Sequence, residues 1–281
     1  MYDTIVKINN SLIQHGLRNN RIYLMHLAKE DMPEILSELD TAADKNSYTK
    51  IFAKVPDSFS NSFIENGYIM EARIPLFFDG KENCIFMAKY LDAKRSCTIN
   101  NELNKKVLEN ALSKSSSDFS QGKIILKDDF TFRKANAQDA LNMANLYTQV
   151  FDSYPFPISD PEYIKETMNS NVIYFGIWKG SELIALSSCE IGLEDSNVEM
   201  TDFAVNPTYR GYNFSYFLLR EMEKEMKKQE IKTAYTIARS VSYGMNATFA
   251  KCGYTFSGTL INNTQIGGKI EDMNVWYKSL Q

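Results

Sequence analysis

A chain of 281 residues with 44% hydrophobic and 23% charged content can bury a sizeable core, which excludes global disorder and allows one large or two ordinary domains. Its net charge of −4 comes without any Lys/Arg cluster, so a nucleic-acid partner is not expected. No stretch approaches the ~18 apolar residues of a membrane span, and residues 1–12 lack a basic head followed by an apolar run; a cytoplasmic protein without membrane attachment is expected.

Residues 50–91 run strand, helix, Asn-Gly-Tyr, strand, loop, strand, and a polar helical segment follows at 101–112. The Ser-rich stretch SKSSSDFSQG (113–122) is the clearest boundary. It divides the chain into an N-terminal α/β region (1–112), a linker (113–128) and a second domain (129–281). In that domain a short strand at 130–133 precedes a helix capped by Asn136, with Asp139 in its first turn and an apolar stripe of Ala140, Met143, Ala144, Tyr147 and Val150. The proline-rich loop FDSYPFPISDP leads to a helix capped by Asp160 with Pro161 at its first position. Strands at 172–178 and 183–191 form a hairpin around Lys179-Gly180-Ser181.

An apolar strand at 198–205 is broken by Asn206, Pro207 and Thr208, and Tyr209-Arg210-Gly211 leads into a helix carrying Leu218, Leu219, Met222 and Met226. Strand, short polar turn and helix start make an anion site, because the first helical N–H groups lack partners and the macrodipole adds positive charge there. A strand at 233–239, a helix at 243–251 closed by Cys252-Gly253, and strands at 254–260 and 271–278 around a polar loop with Gly267-Gly268 complete the chain.

Catalytic chemistry is bounded by scarcity. Cys84, Cys97, Cys189 and Cys252 form no C-x-x-C pair and read as core fillers. His15 and His26 are the only histidines, without metal-ligand spacing, so neither a metal site nor a Ser-His-Asp triad in the C-terminal half is expected.

The order β-α-α-β-β-β-α-β-α-β-β across 129–281 resembles the Gcn5-related N-acetyltransferase (GNAT) superfamily. The resemblance implies an α/β (α+β) acyl-CoA N-acyltransferase fold, a central mixed sheet flanked by helices, and acetyl-CoA as co-substrate. The family's Arg/Gln-x-x-Gly-x-Gly/Ala grip on the pyrophosphate falls on Arg210, Asn213 and Ser215, so neither small position carries the usual residue. Asn213 is the non-Gly type most at ease at positive φ, and Ser215 can donate to a phosphate. The turn Arg210, Gly211, Tyr212, Asn213, Phe214 and Ser215 would hold the diphosphate. The amides of Phe203, Ala204 and Val205 would stabilise the oxyanion, since the superfamily splays this strand. Ser242 and Asn246 would contact the pantetheine arm or the adenine side. Phe249 stands where many members carry the tyrosine acid, leaving Tyr243, Tyr254 or water for that role.

Acetyl transfer requires a free amine, and a lysine-type ammonium with pKa ~10.4 is almost fully protonated at neutral pH. Glu199 is the first candidate base, at a place where some members carry a catalytic glutamate; alternation puts it on one face with Thr201, Phe203 and Val205, and Asp202, the second candidate, on the other.

The segments FDSYPFPI (151–158), TDFAVNPTYRG (201–211) and GMNATFAKCGY (244–254) are similar to β-lysine N-acetyltransferases, which implies a small amine acceptor and the compatible solute Nε-acetyl-β-lysine as product. Asp152 would meet an acceptor ammonium, and Tyr154 and Phe156 offer cation–π faces; Arg133 or Arg239 would hold a carboxylate. A polyamine or protein lysine as acceptor, and a non-catalytic acyl-CoA sensor, remain open. Residues 20–92 repeat the strand–helix–Gly-Tyr–strand–strand order of 234–280, as a truncated half of the same fold or as a coincidence of short elements. Strands at 86–91 and 275–277 are expected to be exposed edges through which a homodimer could pair.

Overall fold

The computed structural model describes residues 2–115 and 126–281, and their strands form two mixed sheets. The first contains β1 (Thr4–Ile8), β2 (Ser11–Gly16), β3 (Arg21–His26), β4 (Lys50–Pro56), β5 (Ile69–Phe78) and β6 (Glu82–Tyr90), in the spatial order β1-β2-β3-β4-β6-β5. Helix α1 (Glu34–Lys45) joins the parallel pair β3 and β4, and α2 (Ser60–Glu65) links β4 to β5. Ile35, Leu36, Leu39 and Ala43 recur at helical spacing, so α1 buries that stripe against Ile22, Leu24, Ile51 and Ala53. Helix α3 (Asn101–Leu112) follows.

The second sheet holds β7 (Phe130–Lys134), β8 (Val172–Lys179), β9 (Glu182–Gly192), β10 (Asn197–Val205), β11 (Thr233–Arg239), β12 (Thr255–Ile266) and β13 (Lys269–Ser279), ordered β12-β13-β11-β10-β9-β8-β7. Its helices are α4 (Ala140–Val150), α5 (Pro161–Met168), α6 (Phe214–Lys228) and α7 (Tyr243–Lys251). The expected element order holds throughout. Asn136 and Asp139 form a reciprocal capping box, and Asp160 accepts from the Glu162 N–H at 2.9 Å. The last two strands run further than expected and leave Gly267-Gly268, at φ 62° and 85°, as a two-residue turn. Of the Ser-rich divider, residues 116–125 lie outside the described residues. On its N-terminal side, α3 packs against α7 and sends Ala111 into the core of the second sheet.

The two sheets share a connection pattern. In each, a parallel pair joined by a helix (β3-α1-β4; β10-α6-β11) is followed by a second helix and an antiparallel hairpin whose last strand returns beside the pair. Asn66-Gly67-Tyr68 and Cys252-Gly253-Tyr254 occupy the same place, their glycines at φ 84° and 80°. The smaller unit therefore resembles half of the larger, without counterparts of β7, α4 and α5. It begins at β1, earlier than residue 20, because the β1–β2 hairpin extends the sheet.

The smaller sheet lies face on against the C-terminal half of the larger. Phe52, Ile74, Phe77 and Phe86 pack on Tyr235, Leu260, Met273 and Val275 in one core. Backbones approach closely at Gly258, where a Cβ would fall 2.1 Å from the Glu71 carbonyl oxygen. The Ser257 hydroxyl bridges β12 to the Arg73 N–H (2.9 Å) and C=O (2.6 Å) of β5, so these two sheet edges cover each other. The strands expected as exposed edges are interior: β6 lies between β4 and β5, and β13 between β11 and β12. Phe86, Val275 and Trp276 are fully buried, because a neighbour pairs on both sides of each strand; neither segment offers an edge to a second copy.

Candidate active site

A cavity of about 1250 Å³ opens between the two units, along the place where the larger sheet parts. Strands β10 and β11 pair only through Asn197, Val198 and Glu199. Beyond that point β10 carries a bulge against β9, between Thr201 and Ala204, with Asp202 at φ 54°. The Asn206 N–H donates to Ile184 O on β9 at 2.8 Å. Alternate N–H groups of a strand point to opposite edges, so with the Asn206 N–H on β9 the Val205 N–H is directed to the gap.

One end of the cavity has the character of an anion site. Asn206 Oδ1 accepts from the Thr208 N–H at 3.1 Å and sets a tight turn. Gly211 then takes φ 90° with open space where a Cβ would be, and Asn213 takes φ 60° at the start of α6. Asn213 thus adopts the left-handed conformation that a glycine would otherwise supply. Arg210, Gly211, Asn213, Phe214 and Ser215 line the cavity, and so do Phe203 and Val205. Tyr212 is not among the lining residues: its ring stacks on Phe214 at 5.5 Å, near Phe130. The Ala204 side chain is fully buried with Ala140 and Ala144 of α4, on the opposite face of the strand.

Ser242 lines the cavity while capping α7, its Oγ accepting from the Met245 N–H at 3.4 Å. Asn246 does not reach the cavity, because every polar atom of its side chain is already engaged. It donates to Arg239 O (3.0 Å) and Ser242 O (2.8 Å), and accepts from Asn274 Nδ2 and Trp276 Nε1, both at 2.9 Å. Asn246→Ala would orphan two buried donors; thermal unfolding is expected to show a loss of about 2–4 kcal/mol, with CoA affinity of the folded protein unchanged. Phe249 lines the cavity edge-on to Phe203, with ring centroids 5.7 Å apart. Of the two tyrosines open as acids, Tyr243 lines the cavity, whereas Tyr254 is buried against Phe249 on the core side.

The other end is lined by Tyr154 and Phe156. Asp152 is exposed outside the lining and acts on the Arg239 guanidinium through space. Phe151 packs against Tyr154 (4.8 Å), while Asp152 is left exposed. Neither expected carboxylate holder is free. Arg133 binds Asp139 through two bonds of 2.7 and 2.8 Å and lies 3.6 Å over Trp178; Arg239 binds Glu271 at 2.6 and 2.8 Å.

Four carboxyls face this end: Glu166 from α5, Glu190 from β9, and Glu199 and Asp202 from β10. Alternation alone would separate the latter two, but the bulge resets the strand and brings Asp202 onto the cavity side as well. Burial, then the neighbouring Glu190, pushes Glu199 up to about 8, against the opposing pull of Lys54 and a hydrogen bond from Tyr235. Burial raises Glu190 too, opposed by Lys54. Asp202 is raised by burial, yet both of its oxygens are engaged: Tyr154 Oη donates at 2.5 Å and Ser188 Oγ at 2.6 Å. A carboxylate so occupied holds Tyr154 and Ser188 in place.

The smaller unit supplies the facing wall with Arg21, Tyr23, Phe52 and Lys54. Sequence reasoning missed Glu190 and Lys54. The available signal was a charged residue on the inward side of an otherwise apolar strand, in KIFAKVP and in ELIALSSCE. Among the described residues no cluster of three or more His, Cys, Asp or Glu could hold a metal ion, and no helix is long and apolar enough to cross a membrane.

Comparison with known proteins agrees with this geometry. Residues 141–254 match the model of the "Acetyltransferase (GNAT) family". A beta-lysine N(6)-acetyltransferase of Methanococcus maripaludis is 40% identical, over 98% of this chain and 98% of its own. Another of that name, from Methanosarcina mazei, is 33% identical over 88% of this chain and 97% of its own. The N-acetyltransferase YodP of Bacillus subtilis is 31% identical over 96% of both. With a splayed strand pair, an Arg-Gly turn at a helix start and relatives aligned across both units, this chain belongs to the GNAT acetyltransferase family.

Proposed function

We propose that the protein transfers the acetyl group of acetyl-CoA to the ε-amine of β-lysine, forming Nε-acetyl-β-lysine as a cytoplasmic compatible solute. The single observation that carries this reading is one cavity, opening where β10 and β11 part, that is lined together by Glu199, the Arg210 turn and an acidic, aromatic acceptor end. The cradle suits a CoA diphosphate, since Gly211 has open space beside it and Asn213 accepts positive φ. Acetyl-CoA supplies an activated thioester: the amine nitrogen forms the C–N bond, the C–S bond breaks, and sulfur leaves with the electron pair as thiolate. Glu199 takes the proton that the amine must shed. The Val205 amide donates to the oxygen that becomes negative. Of Tyr243 and Tyr254, Tyr243 lines the cavity, and the thiolate takes its proton from there.

The acidic and aromatic lining of the acceptor end, with Glu190, Glu199, Tyr154 and Phe156, suits an amine acceptor. Incubating purified protein with acetyl-CoA and β-lysine should release one thiol per acetyl transferred, with the new amide on the ε-nitrogen by NMR. The absence of β-lysine-dependent thiol release, whatever a polyamine panel gives, would overturn the reading.

A further inference from the structure

Lys54 sits on β4 of the smaller unit, with part of its surface opening into the acceptor end of the cavity. Burial opposes its charge, yet Tyr23, Cys84, Glu190 and Glu199 outweigh that cost and hold the ammonium above its ordinary value. Its Nζ lies over the rings of Phe77, at 5.7 Å, and Tyr235, at 6.0 Å. Among the described residues, no carboxylate lies within ion-pair distance of Nζ and no hydrogen bond engages it. Glu190, on the facing wall, likewise has no ion-pair partner there. The two opposite charges act on each other and line the same cavity. Lys54 is half-buried and Glu190 exposed on the wall of the same cavity, so an occupant that carries both opposite charges would give each a charge-assisted partner.

We propose that Lys54 and Glu190 together form a receptor for the zwitterionic head of the acceptor, with Lys54 taking the carboxylate and Glu190 the ammonium that is not acetylated. This deepens, and rests on, the reading of the acceptor as a free diamino acid. The smaller unit is then part of the binding site: it selects amines that carry a carboxylate and rejects simple polyamines, which would place a second cation beside Lys54. It also gives a role to the half-fold, which has no Arg-Gly turn of its own.

The test is a comparison of acceptors in the full-length protein. Wild type, Lys54→Met and Lys54→Arg are each assayed with β-lysine, its methyl ester and 1,4-diaminopentane, which lacks the carboxylate altogether. Wild type should prefer β-lysine. Lys54→Met should raise KM for β-lysine by about 50–100-fold with kcat changed far less, and should erase the preference over the ester; Lys54→Arg should restore part of it. An indirect effect of Lys54 on Glu199 would alter all three acceptors alike and leave the ratios intact, and that result would overturn the proposal. Calorimetry with CoA identifies any variant that has failed to fold; the ratios from Lys54→Arg and from Glu190→Gln, which should weaken both diamines relative to a monoamine, then decide. If wild type does not acetylate β-lysine, the proposed function fails by itself. The Lys54 proposal is then judged on the best acceptor found, and it falls if that acceptor carries no carboxylate.

Discussion

Glu199→Gln is expected to lower kcat by about 10²–10⁴-fold while leaving CoA affinity within a few-fold of wild type. The amide fills the same space but cannot take the proton that an ε-ammonium must lose. The pH dependence gives a second signature. A carboxyl raised to about 8 is mostly protonated, and so inactive as a base, below that pH. Rates should therefore climb about tenfold per unit toward pH 8 and then level. In the variant this limb disappears, and the residual rate should follow the amine's own ionisation near ~10.4. Full activity in Glu199→Gln, or an unchanged limb, would pass the role to another group. Asp202→Asn is the control: because Asp202 holds Tyr154 and Ser188, it should disturb acceptor KM more than the position of the limb.

Glu71→Ala should be the most destabilising single change at the junction of the two units. The Lys50 ammonium is fully buried, 3.0 Å from Glu71, and also donates to Ile261 O of β12 at 2.7 Å. Glu71 in turn accepts from the Ile261 N–H at 2.8 Å and from the Tyr90 hydroxyl. Burial pulls Lys50 down to about 8, with Glu71 opposing that fall. Removing the carboxylate leaves a buried ammonium and two further donors unpaired, at a cost of about 3–5 kcal/mol. At roughly 2–4 °C per kcal/mol for a protein of this size, the unfolding midpoint should fall by about 10 °C. The double change Lys50→Met with Glu71→Leu should recover most of that loss, since apolar replacement of both partners of a buried pair is often neutral. A midpoint unmoved by Glu71→Ala would mean that the packing of Phe52, Phe77 and Phe86 alone holds the units together.

Much of the transferase unit was legible in residue order. The Asn136 and Asp160 caps, the hairpin around Gly180 and the break at Asn206-Pro207 are local devices, and each acts within a few residues of itself. The Arg210–Ser215 turn was legible for the same reason, and Asn213 at φ 60° is a one-residue property. The repeat between the two units could be suspected from the recurring Gly-Tyr after a helix; the matching strand order required coordinates.

Failures arose where local rules met a distant neighbour. Alternation put Asp202 on the wrong side, because a bulge depends on how β10 pairs with β9 and not on β10 alone. Asp152 looked fit for an ammonium, but Phe151 packs against Tyr154 and Asp152 is left exposed outside the cavity lining. Asn246 looked like a cofactor contact until Trp276 and Asn274, some thirty residues away, engaged its oxygen.

The sequence by itself determined the elements, their caps, the phosphate-type turn and the presence of an amine-compatible acid on the central strand. Only the tertiary structure decided which charges share a cavity. Lys54, Glu190 and Glu199 come from two units and three strands; packing raises the two carboxyls by burial, and these acids with Tyr23 and Cys84 hold the Lys54 ammonium up against the same burial.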